Sequence, residues 1–174
     1  IGSLEGDLYL PNSDVQLPGV VVCHPHPMMG GDMYNNVVSA ICKSLFDLGI
    51  VSLRFNFRGV GDSAGTYDEG VGELSDAKAA VKFLSELPEV DEKRIGLAGY
   101  SFGAGVAIKS GSETNAVRAI ALVGRARVDA EIDLYSRPNL PILFIVGDMD
   151  KLMPEDQLQS IQSHMDIPPE MLIL

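Results

Sequence analysis

The sequence predicts an α/β fold, a mostly parallel sheet with helices on both faces. Two patterns carry this expectation. Short β-type apolar runs alternate along the whole chain with segments whose apolar residues recur at helical spacing. Such a succession builds a sheet whose strands are joined by helices lying on its faces. The length of 174 residues suits one domain with a sizeable core, and 46% apolar with 21% charged residues is a globular balance. No repeat or low-complexity segment interrupts it.

Residues 3–10 alternate in part, and the turn Pro11-Asn12-Ser13-Asp14 leads into Gly19-Val20-Val21-Val22-Cys23. An antiparallel pair is therefore expected before the sheet turns parallel. Val37, Ile41, Leu45 and Leu48 fall at helical spacing with Gly49 as the stop, and 50–57 supplies a buried strand. Leu74, Ala77, Val81 and Leu84 mark a second helix that ends before Pro88. Then come a strand at 94–98, a helix at 102–109, and strands at 117–123 and 140–146. A last helix at about 155–165, with Leu158, Ile161 and Met165 inward, precedes a terminal strand at 170–174. The connection 124–139 leaves little room for a cap domain, although 128–135 suits a small helix at the rim of an open site.

Thirteen Lys plus Arg against 24 Asp plus Glu give a net charge of −11, which repels nucleic-acid phosphates and anionic lipid. Neither nucleic acid nor membrane is an expected partner. Cys23 and Cys42 form no CxxC pair and read as reduced, buried thiols. No apolar run approaches the roughly 18 residues of a membrane helix, and the expected location is cytoplasmic. The chain opens on Ile1 and stops inside the apolar run 171–174, so it reads as a fragment; an opening residue other than Met is also what a removed leader leaves. A frayed terminal strand exposes an edge, which makes a homodimer through that edge an expectation.

In a sheet of this class, ligands bind beyond the carboxyl ends of the strands. Gly99-Tyr100-Ser101-Phe102-Gly103 is a GxSxG motif between a strand and a small-residue helix. The turn needs little bulk at Gly99 and Gly103, and it raises the Ser101 hydroxyl at a helix N-terminus, where amides and helix dipole favour developing negative charge. Ser101 is thus the candidate nucleophile. An oxyanion hole needs two converging N–H groups, one of them from Phe102. The loop His24-Pro25-His26-Pro27-Met28-Met29-Gly30-Gly31 supplies the other: Pro25 and Pro27 have no N–H, so His26 is the first choice and Met28 the second. The imidazoles of His24 and His26 read as structural, hydrogen-bonded groups rather than bases. No Cys, Asp or Glu completes a ligand set in this loop, so neither metal nor cofactor is expected.

Gly147-Asp148-Met149-Asp150 follows a later strand, and a carboxylate there can orient an imidazole for Ser101. Asp150 is the candidate; Asp148, the alternative, suits a turn role. Asn56-Phe57-Arg58-Gly59-Val60-Gly61-Asp62-Ser63-Ala64-Gly65 contains no GxxxxGK[ST] and reads as bracing, with Arg58 pairing a carboxylate or carbonyls.

HPHPxxGG, NFRGVGxSxG, GYSFG and a late GDxD, in this order and each after a strand, resemble the α/β-hydrolase superfamily, and within it the small lidless serine hydrolases related to dienelactone hydrolase. The resemblance covers nearly the whole chain. It implies an α/β-hydrolase fold without a cap, Ser101 as nucleophile, Asp150 as triad acid, and the amides of His26 and Phe102 as oxyanion hole. It also implies a catalytic histidine in a loop after the final strand, in a pattern such as GxxHFF, which is expected beyond Leu174. His164 lies on the helix before that strand and is not the expected base.

The activity implied is hydrolysis of small or medium carboxylic esters through an acyl-enzyme on Ser101. Acyl transfer and peptide-bond hydrolysis use the same serine chemistry, and a non-catalytic binding protein of the same fold is the rival of another class. Haloalkane dehalogenation is disfavoured, because it uses aspartate at the position of Ser101. Phosphorylated substrates would need a local cationic spot such as Arg125 with Arg127.

Overall fold

The computed structural model describes residues 3–124, 140–147 and 169–174. The helix expected at about 155–165, the rim helix expected at 128–135, and Arg125 and Arg127 lie outside the described residues. Seven strands form one sheet: β1 (Gly6–Tyr9), β2 (Leu17–Cys23), β3 (Val51–Phe55), β4 (Val90–Tyr100), β5 (Val117–Val123), β6 (Ile142–Val146) and β7 (Glu170–Ile173). Three helices are described: α1 (Asn36–Asp47), α2 (Val71–Ser85) and α3 (Phe102–Glu113). The strand order is β1-β3-β2-β4-β5-β6-β7, and only β1 runs antiparallel to its neighbour.

An antiparallel edge strand is present as expected, but its partner is β3, with Leu8 opposite Leu53, and not the strand that follows it in sequence. β2 is almost wholly apolar at 20–23 and takes an interior position, parallel to both β3 and β4. A strand buried on both faces belongs there, whereas the half-exposed β1 fits an edge.

Residue alternation on the central strands splits the core. Val21, Cys23, Ile95 and Leu97 face α2 and α3, packed with Ala77, Val81, Leu84, Ala104 and Ile108. Val22 and Ala98 point the other way, onto Val38 and Cys42 of α1. In α1 the deepest residues are Val38 and Cys42, with Ile41 and Leu45 beside them, while Leu48 is the C-cap and 75% exposed. Gly49 follows in the left-handed region at φ 74°, which ends the helix as the sequence indicates. Both cysteines are buried and free, and burial holds both thiols above their ordinary value. Among the described residues, no helix is long and apolar enough to cross a membrane.

The chain leaves β2 toward β3 and then returns across β2 to β4. The carboxyl ends of β2 and β4 therefore flank the point where the winding reverses, the crevice in which open α/β sheets bind ligands. Cys23 pairs with Gly99 in the ladder, so the loop after β2 and the turn after β4 start side by side.

Candidate active site

Ser101 sits between the last residue of β4 and the first turn of α3 with φ 54° and ψ −115°. A side chain in this backbone region is strained, and the strain is held by hydrogen bonds on both sides. The Ser101 amide donates to the Val123 carbonyl at 2.9 Å, and its carbonyl accepts from Ala104 N at 3.0 Å. The glycines of the motif meet backbone, not flexible side chains. A Cβ at Gly99 would lie 2.2 Å from the Gly103 oxygen, and one at Gly103 would lie 2.4 Å from the Cys23 oxygen. Only a bare backbone lets β4, α3 and the end of β2 approach this closely. Phe102 is the first helical residue, so its N–H belongs to the open N-terminal turn.

The loop after β2 folds into a 3-10 turn at Pro27–Met29 capped by His26, whose Nδ1 accepts from Met28 N at 3.2 Å. The His26 carbonyl accepts from the amides of Met29 and Gly31, each at 3.0 Å. Of the two amides proposed from sequence for the oxyanion, that of Met28 is thus engaged by the imidazole. His26 Nε2 lies 3.2 Å from the Tyr67 hydroxyl, and the His26 ring packs on Phe102 with centroids 4.9 Å apart.

His24 is fully buried. Its Nδ1–H donates to the Pro25 carbonyl at 2.7 Å, and its Nε2 accepts from the Phe57 amide at 3.0 Å. Both nitrogens are occupied in the neutral ring, and burial holds its pKa below the ordinary 6.5 against the opposing Pro25 hydrogen bond. The structural reading of both imidazoles agrees with these contacts.

The glycine-rich segment after β3 braces as expected, and Asp76 is the carboxylate that Arg58 pairs. Arg58 Nε and Nη2 reach the two Asp76 oxygens at 3.0 and 2.8 Å, and the Arg58 amide adds a bond at 3.0 Å. This holds the guanidinium charge firmly, with its pKa raised above the ordinary value chiefly by those hydrogen bonds. Asn56 Oδ1 accepts from Met33 N at 2.8 Å while its Nδ2 donates to Glu5 at 2.7 Å, tying the segment to the loop before α1 and to the residue just ahead of β1.

Sequence reasoning missed Glu5, Tyr67, Glu73 and Asp76. Glu73 is fully buried and accepts from the Asp68 and Gly70 amides at 2.9 and 2.8 Å. Its place three residues after the N-cap Gly70 is the capping spacing, a legible signal; Asp76 follows by three residues on the same face. Asp148, Asp150 and His164 lie outside the described residues, as does any contact they make. Val146, the last residue of β6 before them, is two strands from β4. Among the described residues, no cluster of His, Cys, Asp or Glu could hold a metal ion.

Known proteins share this fold. An α/β serine hydrolase homologue from Coxiella burnetii superposes with a TM-score of 0.86 at 34% identity, covering 99% of this chain and 82% of that one. A serine hydrolase without a lid from Xanthomonas campestris gives a TM-score of 0.82 at 30% identity, covering 98% of this chain and 78% of its own. An uncharacterized protein from Rickettsia prowazekii is 33% identical over 95% of this chain and 73% of its own length. The fold is that of the α/β hydrolases, and the Xanthomonas neighbour is one that lacks a lid. The sequence pattern of one hydrolase family, the dienelactone hydrolase family, matches residues 4–168, and the chain belongs to that family.

Proposed function

We propose that the protein hydrolyses carboxylic esters through an acyl-enzyme on Ser101. The observation that carries this reading is the strained backbone of Ser101 at the N-terminus of α3, a conformation that costs stability and presents a hydroxyl beside open amides. Ser101 Oγ attacks the acyl carbonyl carbon while an imidazole takes the hydroxyl proton. The carbonyl oxygen becomes an oxyanion received by the Phe102 and His26 amides. Collapse expels the alcohol, which takes the proton from the imidazolium, and water then releases the acid by the same steps.

The general base in this proposal is not His24 or His26, whose ring nitrogens are all engaged. It is a histidine oriented by Asp150, in the loop after the final strand where the family resemblance puts it. A net charge of −11 favours neutral over anionic esters.

A fluorophosphonate probe reacts only with an activated serine. Labelling of the full-length protein at Ser101, mapped by mass spectrometry and abolished in Ser101→Ala, supports the proposal. Loss of labelling in the polypeptide ending at Leu174 places the base beyond it. Silence of the full-length protein overturns the hydrolase reading in favour of a binding protein. Turnover of a p-nitrophenyl ester panel, with alcohols added as competing acceptors, separates hydrolysis from acyl transfer.

A further inference from the structure

The hydrogen bonds at His26 decide where its proton sits. The Met28 amide can only donate, so Nδ1 is the bare nitrogen, and the proton of the neutral ring is on Nε2, which donates to the Tyr67 oxygen. One imidazole therefore fastens the turn after β2 to the loop that precedes α2. The three rings close a triangle: His26 lies 4.9 Å from Phe102 and 5.2 Å from Tyr67, and Tyr67 lies 6.0 Å from Phe102. Two of these rings belong to the residues whose amides are assigned to the oxyanion, and the third touches both.

We propose that Tyr67 is a positioning residue for the hydrolysis: its hydroxyl, accepting from His26, and its ring, packed on Phe102, set the spacing between the two oxyanion amides. The inference rests on the ester-hydrolase reading and adds to it the residue that preorganises the hole. Tyr67 acts through His26 and does not touch the reacting atoms.

The loop carrying Tyr67 is itself held from behind. Gly59 packs so closely that a Cβ there would lie 3.0 Å from the Thr66 Cα and 3.2 Å from the Tyr67 nitrogen. On the other side the buried Glu73 carboxylate ties down the Asp68 and Gly70 amides. Arg58, locked to Asp76, anchors the segment that contains Gly59. The glycine-rich segment 56–65, which takes no direct part in the chemistry, thereby acquires a role: it is the platform on which Tyr67 stands. An oxyanion hole gains from such fixed donors because nothing need reorganise as charge develops.

The test is Tyr67→Phe in the full-length protein, with p-nitrophenyl acetate turnover and heteronuclear NMR of the His26 ring nitrogens. Losing an oxyanion donor costs about 10²–10³ in kcat, and loosening one should cost about tenfold, with KM changed by less than about twofold. The melting temperature should stay near that of the wild type, and the Nε2 resonance should move as its acceptor is lost. Tyr67→Leu, which also removes the ring, should lower kcat further. An unchanged kcat in Tyr67→Phe, or a loss confined to KM, overturns the proposal; so does an Nε2 resonance that does not move. If the wild type fails to label with fluorophosphonate while the Nε2 shift appears, the hydrogen bond stands and it is the hydrolase reading that fails.

Discussion

The Phe57 amide donates to Nε2 of His24 at 3.0 Å, joining the end of β3 to the first residue after β2. This bond exists only while the ring is neutral, and burial holds the His24 pKa below 6.5. In the unfolded chain the ring titrates near its ordinary value. As the pH falls below about 6.5, the unfolded state takes a proton that the native state refuses, and stability drops until the lowered native value is passed. Urea unfolding at about pH 7.5 and about pH 5.5 should show this loss. In His24→Phe the buried Phe57 amide has no acceptor, which should cost about 2 kcal/mol at neutral pH and flatten the pH slope. An equal slope in the variant would assign the effect to other groups.

Ser101 holds a positive φ that a glycine adopts freely. Both Ser101→Ala and Ser101→Gly should abolish fluorophosphonate labelling. Only the glycine variant should also relieve backbone strain, so it should be more stable than the alanine variant by about 1 kcal/mol in urea melts. Equal stability of the two would show that the turn stores no strain at this residue.

The elbow depends on Gly103 for a different reason. A methyl group there would meet the Cys23 and His24 carbonyl oxygens at 2.4 and 2.5 Å, and neither atom can swing away as a side chain could. Gly103→Ala should cost about 3 kcal/mol, the upper end of overpacking effects, with a lower melting temperature and weaker labelling. A variant as stable as the wild type would mean that α3 can shift without loss.

Asp76 is 3% exposed and takes three hydrogen bonds from Arg58. Arg58→Ala leaves a buried carboxylate without its cation and should cost about 3 kcal/mol. Arg58→Lys keeps the charge but not the planar fork, and about 1–2 kcal/mol is expected. Chemical denaturation of both variants checks the order; a lysine variant no better than alanine would point to geometry alone.

The acidic surface should be visible in substrate choice. Against a neutral ester of matched size, one bearing a carboxylate on its acyl part should show a several-fold higher KM at about 0.01 M salt, and the gap should narrow at about 0.5 M, where the Debye length shrinks. A gap unaffected by salt would locate the discrimination in shape, not charge.

The parts of the site legible in the sequence are those made by neighbours along the chain. The Gly99–Gly103 turn contains its own reason for existing, because the close approach that needs a glycine at Gly99 is made within the motif, against Gly103. The missing N–H groups of Pro25 and Pro27 already narrow the donors of that loop to His26 and Met28. Conversely, Tyr67 is one aromatic residue in a polar loop, and its partner His26 is 41 residues away. Glu73 stands at a capping position that the sequence shows, whereas Asp76 lies on a helix where acidic residues ordinarily face water, and only the position of α2 against the sheet turns it inward. Asp150 lies outside the described residues, so the acid of the triad stays a reading of sequence.

By itself the sequence determined the α/β class, the succession of strands and helices among the described residues, and the two segments that meet at the crevice, because periodicity and turn chemistry are local properties. Only the tertiary structure decided that β1 pairs with β3, that the Met28 amide is engaged by His26, and that Tyr67 and Arg58 stand behind the loops. The β1–β3 pairing and the Tyr67–His26 bond join segments tens of residues apart, and their partners are selected by which groups burial leaves in need of a hydrogen bond.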